Sequence, residues 1–353
     1  MISVFDHPFL SALFNDPEIA HLWHAKAQLD HYITFEAALA EALGSAGLVS
    51  HEAGSATAAA IRKTEITLEA LNAGTSEDGV PIPALVRVLK AGSPHPEAVH
   101  SGATSQDVMD TALALTLRGI TDRLLARLEA LRAALDAVAE RFDRNTLMGR
   151  TRMQAALPIQ VSDRVSSWRA PLDGHYARLT ALRPVTELLQ LGGPVGTREG
   201  WGAKADTVAR SMADALSLNT PAHVWHSDRA NLADYANALS LITGSLGKMG
   251  QDISLMAQQG IDEIRLSGGG TSSAMPHKSN PVAAELLVTL ARFNATQLAG
   301  MHQAMVHEQE RSGAAWMLEW MTLPAMTIAT GRALSASTEI AGRIESFGTA
   351  ADD

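Results

Sequence analysis

The sequence predicts an all-α fold, a bundle of long helices, on three observations. Aromatic residues make up only 5% of the chain, and runs of alternating β-branched residues, the mark of half-buried strands, are scarce. Three stretches, Gln106 to about Phe142, Ala222 to Gly260 and Pro281 to about Gly313, carry no interior proline over 30 residues or more. In the first of them Leu113, Leu117, Leu124, Leu128, Leu131 and Leu135 recur at spacings of three, four or seven, the period of one helix face. At 1.5 Å per residue such helices are about 45–55 Å long, beyond the ordinary globular range and typical of a bundle.

The elements follow in order. Residues 1–100 read as a smaller N-terminal helical domain, with an alanine-rich amphipathic helix from Leu29 to Leu43 and shorter helices broken by Gly74, Gly79, Pro81 and Pro83. Residues 101–320 read as the long-helix bundle. Its first helix is announced by Thr104-Ser105 as N-cap, with Asp107 in the first turn, where a carboxylate suits the helix dipole. Pro281 stands at a first-turn position of the third long run. That run is apolar beyond one stripe, at Leu286, Leu287, Val288 and Leu290, which predicts burial on several sides and self-association through the bundle. Residues 321–353 read as a reduced C-terminal helical segment.

Composition narrows the function. The net charge of −10 argues against nucleic acid or an anionic membrane as partner, since both reward a basic face. A small anionic substrate would need a locally basic pocket. The chain has no cysteine, which removes disulfides, thiolate metal sites and cysteine nucleophiles together. The amino terminus lacks the basic and apolar regions of a secretory signal, and no apolar run reaches the ~18 residues that span a bilayer, so the expectation is a cytoplasmic protein. His21 and His24 have no third ligand at metal-binding spacing, and no metal or other cofactor is expected.

Three segments interrupt the helical pattern with small polar residues: HSGATSQD from His100, GRTRMQ from Gly149, and SGGGTSSAMPHKSNP from Ser267 to Pro281. The third is the most informative. Three glycines give a backbone that can approach a ligand closely, and hydroxyls, a lysine and an asparagine follow just before a helix. The phosphate-loop spacing is absent.

This last string resembles the signature of the fumarase/aspartase superfamily, written GSSxMPxKxNP. HSGATSQDVMDTA and GRTRMQAALP resemble the other two shared regions. The resemblance runs over nine-tenths of the chain and implies an all-α, fumarase/aspartase-like homotetramer, with a core of long helices from four subunits and each active site shared between subunits. It also implies a third helical domain after the bundle, which is short or missing here. By the same resemblance Ser272 is the loop serine that exchanges a proton with substrate carbon, and Lys278 serves with it. His100, Thr104 and Ser105 contact substrate from the first region, Thr151, Arg152 and Gln154 from the second, and Ser273, Met275 and Asn280 from the third. Such chemistry passes through a carboxylate that gains negative charge, and so needs fixed donors, cations and one base on a loop that excludes water.

One departure chooses among reactions. Carbon–nitrogen lyases of the superfamily, such as adenylosuccinate lyases, carry a histidine after GRT that protonates the leaving group; here the residue is Arg152. Arginine holds its proton at physiological pH but grips a carboxylate with two parallel hydrogen bonds. Lactonisation tolerates the exchange, because the nucleophile is the substrate's own ionised carboxylate. The stretch HEQERSGAAWMLEW from His307 resembles the ERxxGxWxxEW run of the carboxymuconate-lactonising branch, and Arg311 matches its substrate-binding arginine. The expectation is therefore a cycloisomerase acting on a small anionic tricarboxylate in aromatic degradation. A fumarate-releasing carbon–nitrogen lyase and a sulfomuconate cycloisomerase are the alternatives. Trp316 and Trp320, spaced i, i+4, read as packing more than contact; His226, in a WHxxR stretch, reads equally as site or structure.

Overall fold

The computed structural model describes residues 3–268, 270–271 and 279–350. Short helices α1 (Ser11–Phe14) and α2 (Pro17–Trp23) lead into α3 (Ala25–Ser45), α4 (His51–Ile61), α5 (Leu68–Asp78) and α6 (Ile82–Gly92). Five long helices follow: α7 (Ser105–Arg141), α8 (Val161–Thr186), α10 (Ala230–Met256), α11 (Val282–Gln303) and α12 (Ala314–Gly342). The shorter α9 (Ala205–Leu216) lies between α8 and α10. Three two-stranded antiparallel sheets complete the described residues: β1 (Thr146–Thr151) with β2 (Gln154–Gln160), β3 (Ile264–Leu266) with β6 (Ile344–Phe347), and β4 (Gly270–Thr271) with β5 (Ser279–Asn280).

The five long helices pack on one another as α7·α8, α8·α10, α10·α11, α11·α12 and α12·α7. Leu117, Leu124, Leu128, Leu131 and Leu135 of α7 are each fully buried, as their spacing demands. Gly250 lets α10 and α11 touch: a Cβ there would lie 2.5 Å from the carbonyl oxygen of Ala284. A second core joins α3, α6 and the first turns of α7 to α9. Residues 189–218 thus pack with the N-terminal unit, and α12 runs unbroken through residue 320, so packing crosses the divisions read at 100 and 320.

The structure corrects several expectations. α8 carries Pro171 and Pro184 within it, so a search for proline-free runs passes over it. α10 starts eight residues later than the run that predicted it, and α11 stops at Gln303, where the chain turns before α12. Leu286, Leu287 and Leu290 are 3%, 0% and 1% exposed within the single chain, packed among α10 and α12, while Val288 is half-buried.

The direction of the bundle positions everything else. α7 starts beside the residues that open α10 and α12, through Arg229 with Asp110 and Glu319. It ends beside the close of α12, where the Arg141 guanidinium donates to the carbonyl of Ile344. Its 37 residues set the two ends of the molecule about 55 Å apart at 1.5 Å per residue.

Candidate active site

At the first end, His100 to Ser105 form a tight turn into α7. His100 has a φ of 57° and Gly102 one of 78°. A Cβ on Gly102 would come within 2.8 Å of the Trp201 indole, whose N–H donates to the carbonyl of Ser101 at 3.1 Å. Asp107 organises this turn. Its carboxylate accepts from the backbone N–H of Thr104 at 3.1 Å, Gly192 at 2.8 Å and Gly193 at 2.9 Å, and pairs with His226 Nε2 at 2.8 Å. Four partners on a carboxylate with no exposure give the desolvated charge what it needs. His226, open to either reading from sequence, is thereby a buried partner of the residue that sets Thr104 and Ser105.

His100 is fixed from the other side by Glu36, whose Oε1 lies 2.6 Å from His100 Nδ1. Burial disfavours the charged ring, but the Glu36 carboxylate, through charge and hydrogen bond, outweighs it with help from Asp107. The His100 pKa is therefore held above its ordinary value. A histidine whose charged form is favoured in this way, at the start of α7, suits a carboxylate ligand.

One turn further along α7 lies a clamp that sequence reading missed. Arg229 spans two carboxylates, with Nη1 and Nη2 to Asp110 at 2.7 and 2.9 Å and Nε and Nη2 to Glu319 at 2.8 and 2.6 Å. The three side chains are 1–2% exposed. Burial opposes the guanidinium charge, yet the two carboxylates more than offset it and raise its pKa. The Trp225 ring lies 4.9 Å from the guanidinium carbon, and the Trp316 indole donates to Asp110 at 3.3 Å. Trp316 thus acts as packing and as a hydrogen-bond donor. The clamp ties the starts of α7, α10 and α12 into one rigid end. Arg311 stands at the same end and donates to the carbonyl of Pro194 at 2.8 Å, in the loop that Asp107 pins.

The second region lies at the far end, on the β1–β2 hairpin. Thr151 pairs with Gln154, so Arg152 and Met153 form a two-residue turn with φ of 49° and 67°. Tight turns of this hand usually use Asn-Gly, and two side chains with Cβ held there are strained by about 1–3 kcal/mol each. Thr151, Arg152 and Gln154 are all exposed. Close to its turn the hairpin is tied to the same end by Arg150 Nη2 to Glu263 Oε1 at 3.0 Å.

Asn280 is also at this end, half-buried on β5, where Gly270 pairs with Asn280 and Thr271 with Ser279. Ser272, Ser273, Met275 and Lys278 lie outside the described residues. Of the described candidates, His100, Thr104, Ser105 and Arg311 are brought together. Thr151, Arg152, Gln154 and Asn280 share the opposite end. Among the described residues, the two groups do not meet within one chain. Among the described residues no set of three His, Cys, Asp or Glu is placed to hold a metal ion, and no helix is long and apolar enough to cross a membrane.

Fold and motif-bearing ends together define a class. A family model described as Lyase matches residues 10–296, and the chain belongs to this family, within the fumarase/aspartase superfamily. Within it, the chain is 37% identical over 342 residues to the 3-carboxy-cis,cis-muconate cycloisomerase of Pseudomonas putida, covering 95% of this chain and 81% of that protein. Identity to the protein of the same name from Bradyrhizobium diazoefficiens is 34%, covering 95% and 76%. The crystal structure of the Pseudomonas putida lactonizing enzyme superposes with a TM-score of 0.89 at 37% identity, covering 96% of this chain and 77% of that one.

Proposed function

We propose that the chain is an intramolecular lyase that closes 3-carboxy-cis,cis-muconate to 4-carboxymuconolactone. One substrate carboxylate adds through oxygen to the neighbouring double bond, a carbon–oxygen bond forms, and the displaced electron pair collects on the carbon next to a second carboxylate. Ser272 delivers a proton to that carbon. No atom leaves. The observation that carries the reading is Arg152, which stands exposed on a strained turn where related carbon–nitrogen lyases need an acid. A guanidinium binds a carboxylate there and gives no proton. Curated relatives of this activity at 31–37% identity support it.

The site is composite in this reading. His100, Thr104, Ser105 and Arg311 of one copy meet Thr151, Arg152, Gln154, Ser272, Ser273, Met275, Lys278 and Asn280 of others in a homotetramer, because the length of α7 separates the described members of the two groups within a chain. Large apolar side chains are exposed at both ends, Met153 at 71% and Leu157 at 73% on the hairpin, Val306 at 73% and Met321 at 78% beside the start of α12. Contact between copies would bury them. The cytoplasm is the compartment we assign.

A direct assay separates the readings. Purified protein incubated with 3-carboxymuconate is expected to bleach the diene absorbance, with no fumarate released from adenylosuccinate. Fumarate release with an unchanged diene would replace this proposal with the carbon–nitrogen lyase.

A further inference from the structure

None of the three motif strings contains Glu36. It stands in α3 among Phe35, Ala37, Ala38, Leu39 and Ala40, all buried, and has no exposure itself. Helix formation does not ask for a carboxylate here, since alanine or glutamine serves α3 as well. A charge taken out of water is costly unless it is paired and hydrogen-bonded. Among the described residues Glu36 has one side-chain partner, His100, with Oε1 2.6 Å from Nδ1. Its Oε2 is buried without a partner. Whatever offsets the burial of this carboxylate therefore comes through one imidazole ring.

The same bond decides what the ring can offer a ligand. An ionised carboxylate only accepts, so Nδ1 carries the hydrogen and Nε2 is left for a ligand. A neutral ring presents a lone pair at Nε2, and a protonated ring presents an N–H. A substrate carboxylate also only accepts. It pairs with the protonated ring and is refused by the neutral one. The His100 side chain is 15% exposed, at the turn that carries Thr104 and Ser105.

The charged groups that act on this ring come from three helices. Burial and Lys90 on α6 oppose its charge, while Glu36 on α3 and Asp107 on α7 favour it and outweigh them. On its own segment His95 and Glu97 pair with each other at 3.4 Å.

We infer that Glu36 is a positioning residue: it anchors His100 through Nδ1 and makes the ring's Nε2–H the donor to a substrate carboxylate, so that substrate binding depends on a proton at His100. The inference rests on the proposed cycloisomerase only for the substrate with which KM is read.

The test is Glu36→Gln, which keeps the shape and an acceptor for Nδ1 but removes the charge. Near neutral pH it is expected to raise KM about tenfold, the worth of a charge-assisted hydrogen bond, with kcat within about threefold of the parent. The pH dependence has a definite sign. At mildly acid pH both rings are protonated and the two KM values should converge. As pH rises the variant ring loses its proton first, so its KM climbs at lower pH than that of the parent. On a His100→Asn background, where asparagine tolerates the left-handed backbone, Glu36→Gln should change KM by less than about twofold. A KM unmoved by Glu36→Gln, a rise equal at every pH, or a rise as large without His100 would overturn the inference, since a merely structural Glu36 acts in these ways. Parental protein inactive on carboxymuconate would instead sink the proposed function. Deuterium exchange at the imidazole C2 of His100, followed by mass spectrometry across pH, then reads the ring without substrate. The parent is expected to titrate above the ordinary histidine value and Glu36→Gln below the parent; a parent ring at or below the ordinary value, or coincident curves, would overturn the inference.

Discussion

A Ser272→Ala variant is expected to fold and assemble like the parent and to turn over substrate about a hundredfold to ten-thousandfold more slowly, the usual worth of a positioned proton donor. The size of the loss follows from the rest of the proposed site. Lactonisation needs one proton, delivered to carbon, and Arg152 cannot supply it at neutral pH. With no second acid in the reading, nothing takes over when the hydroxyl is removed. KM should change little, because carboxylate binding is assigned to Lys278, Asn280, Arg152 and Arg311. Steady-state kinetics on diene loss, with circular dichroism and size-exclusion chromatography as controls, decide it. A kcat within tenfold of the parent would take Ser272 out of its role.

Arg229→Met is expected to be the most destabilising single substitution at the first end. It leaves Asp110 and Glu319 facing one another, 1% and 2% exposed, without the cation that binds both. Removing one member of a buried ionic network costs roughly 3–5 kcal/mol, and here the loss also unties three helices. Arg229→Lys keeps the charge but a single ammonium cannot reproduce the fork across two carboxylates, so it should fall between Met and the parent. Urea unfolding followed by circular dichroism gives the order. A methionine variant as stable as the parent would mean that the clamp does not hold this end together.

What the sequence disclosed and withheld has physical reasons. α7 was legible because its leucines keep one face and Thr104 with Asp107 forms a capping box whose members lie within four residues. The motif strings marked the three regions by residue type alone. α8 was hidden by Pro171 and Pro184, which packing against α7 and α10 overrides. The β1–β2 hairpin was hidden because β2 is exposed along nearly its whole length, so no alternation of buried and exposed residues marks it. The Arg229 clamp could not be read at all: Asp110 and Glu319 lie 119 and 90 positions away, and only the side-by-side starts of α7, α10 and α12 bring them together. Arg229 and Glu319 both lay in stretches noted for other residues. Their pairing was the missing information.

The separation of the two ends also decides what kind of experiment reaches the centre of the account. A lesion at the first end, Thr104→Ala with Ser105→Ala, and a lesion in the signature string, Ser272→Ala, should each inactivate the protein alone. Unfolded together and refolded as mixed oligomers, confirmed by native mass spectrometry, they should regain up to about a quarter of parental activity, the share of sites whose two halves both come from undamaged ends. Mixed oligomers no more active than either variant would mean that one chain supplies both halves of its own site, and would contradict the account.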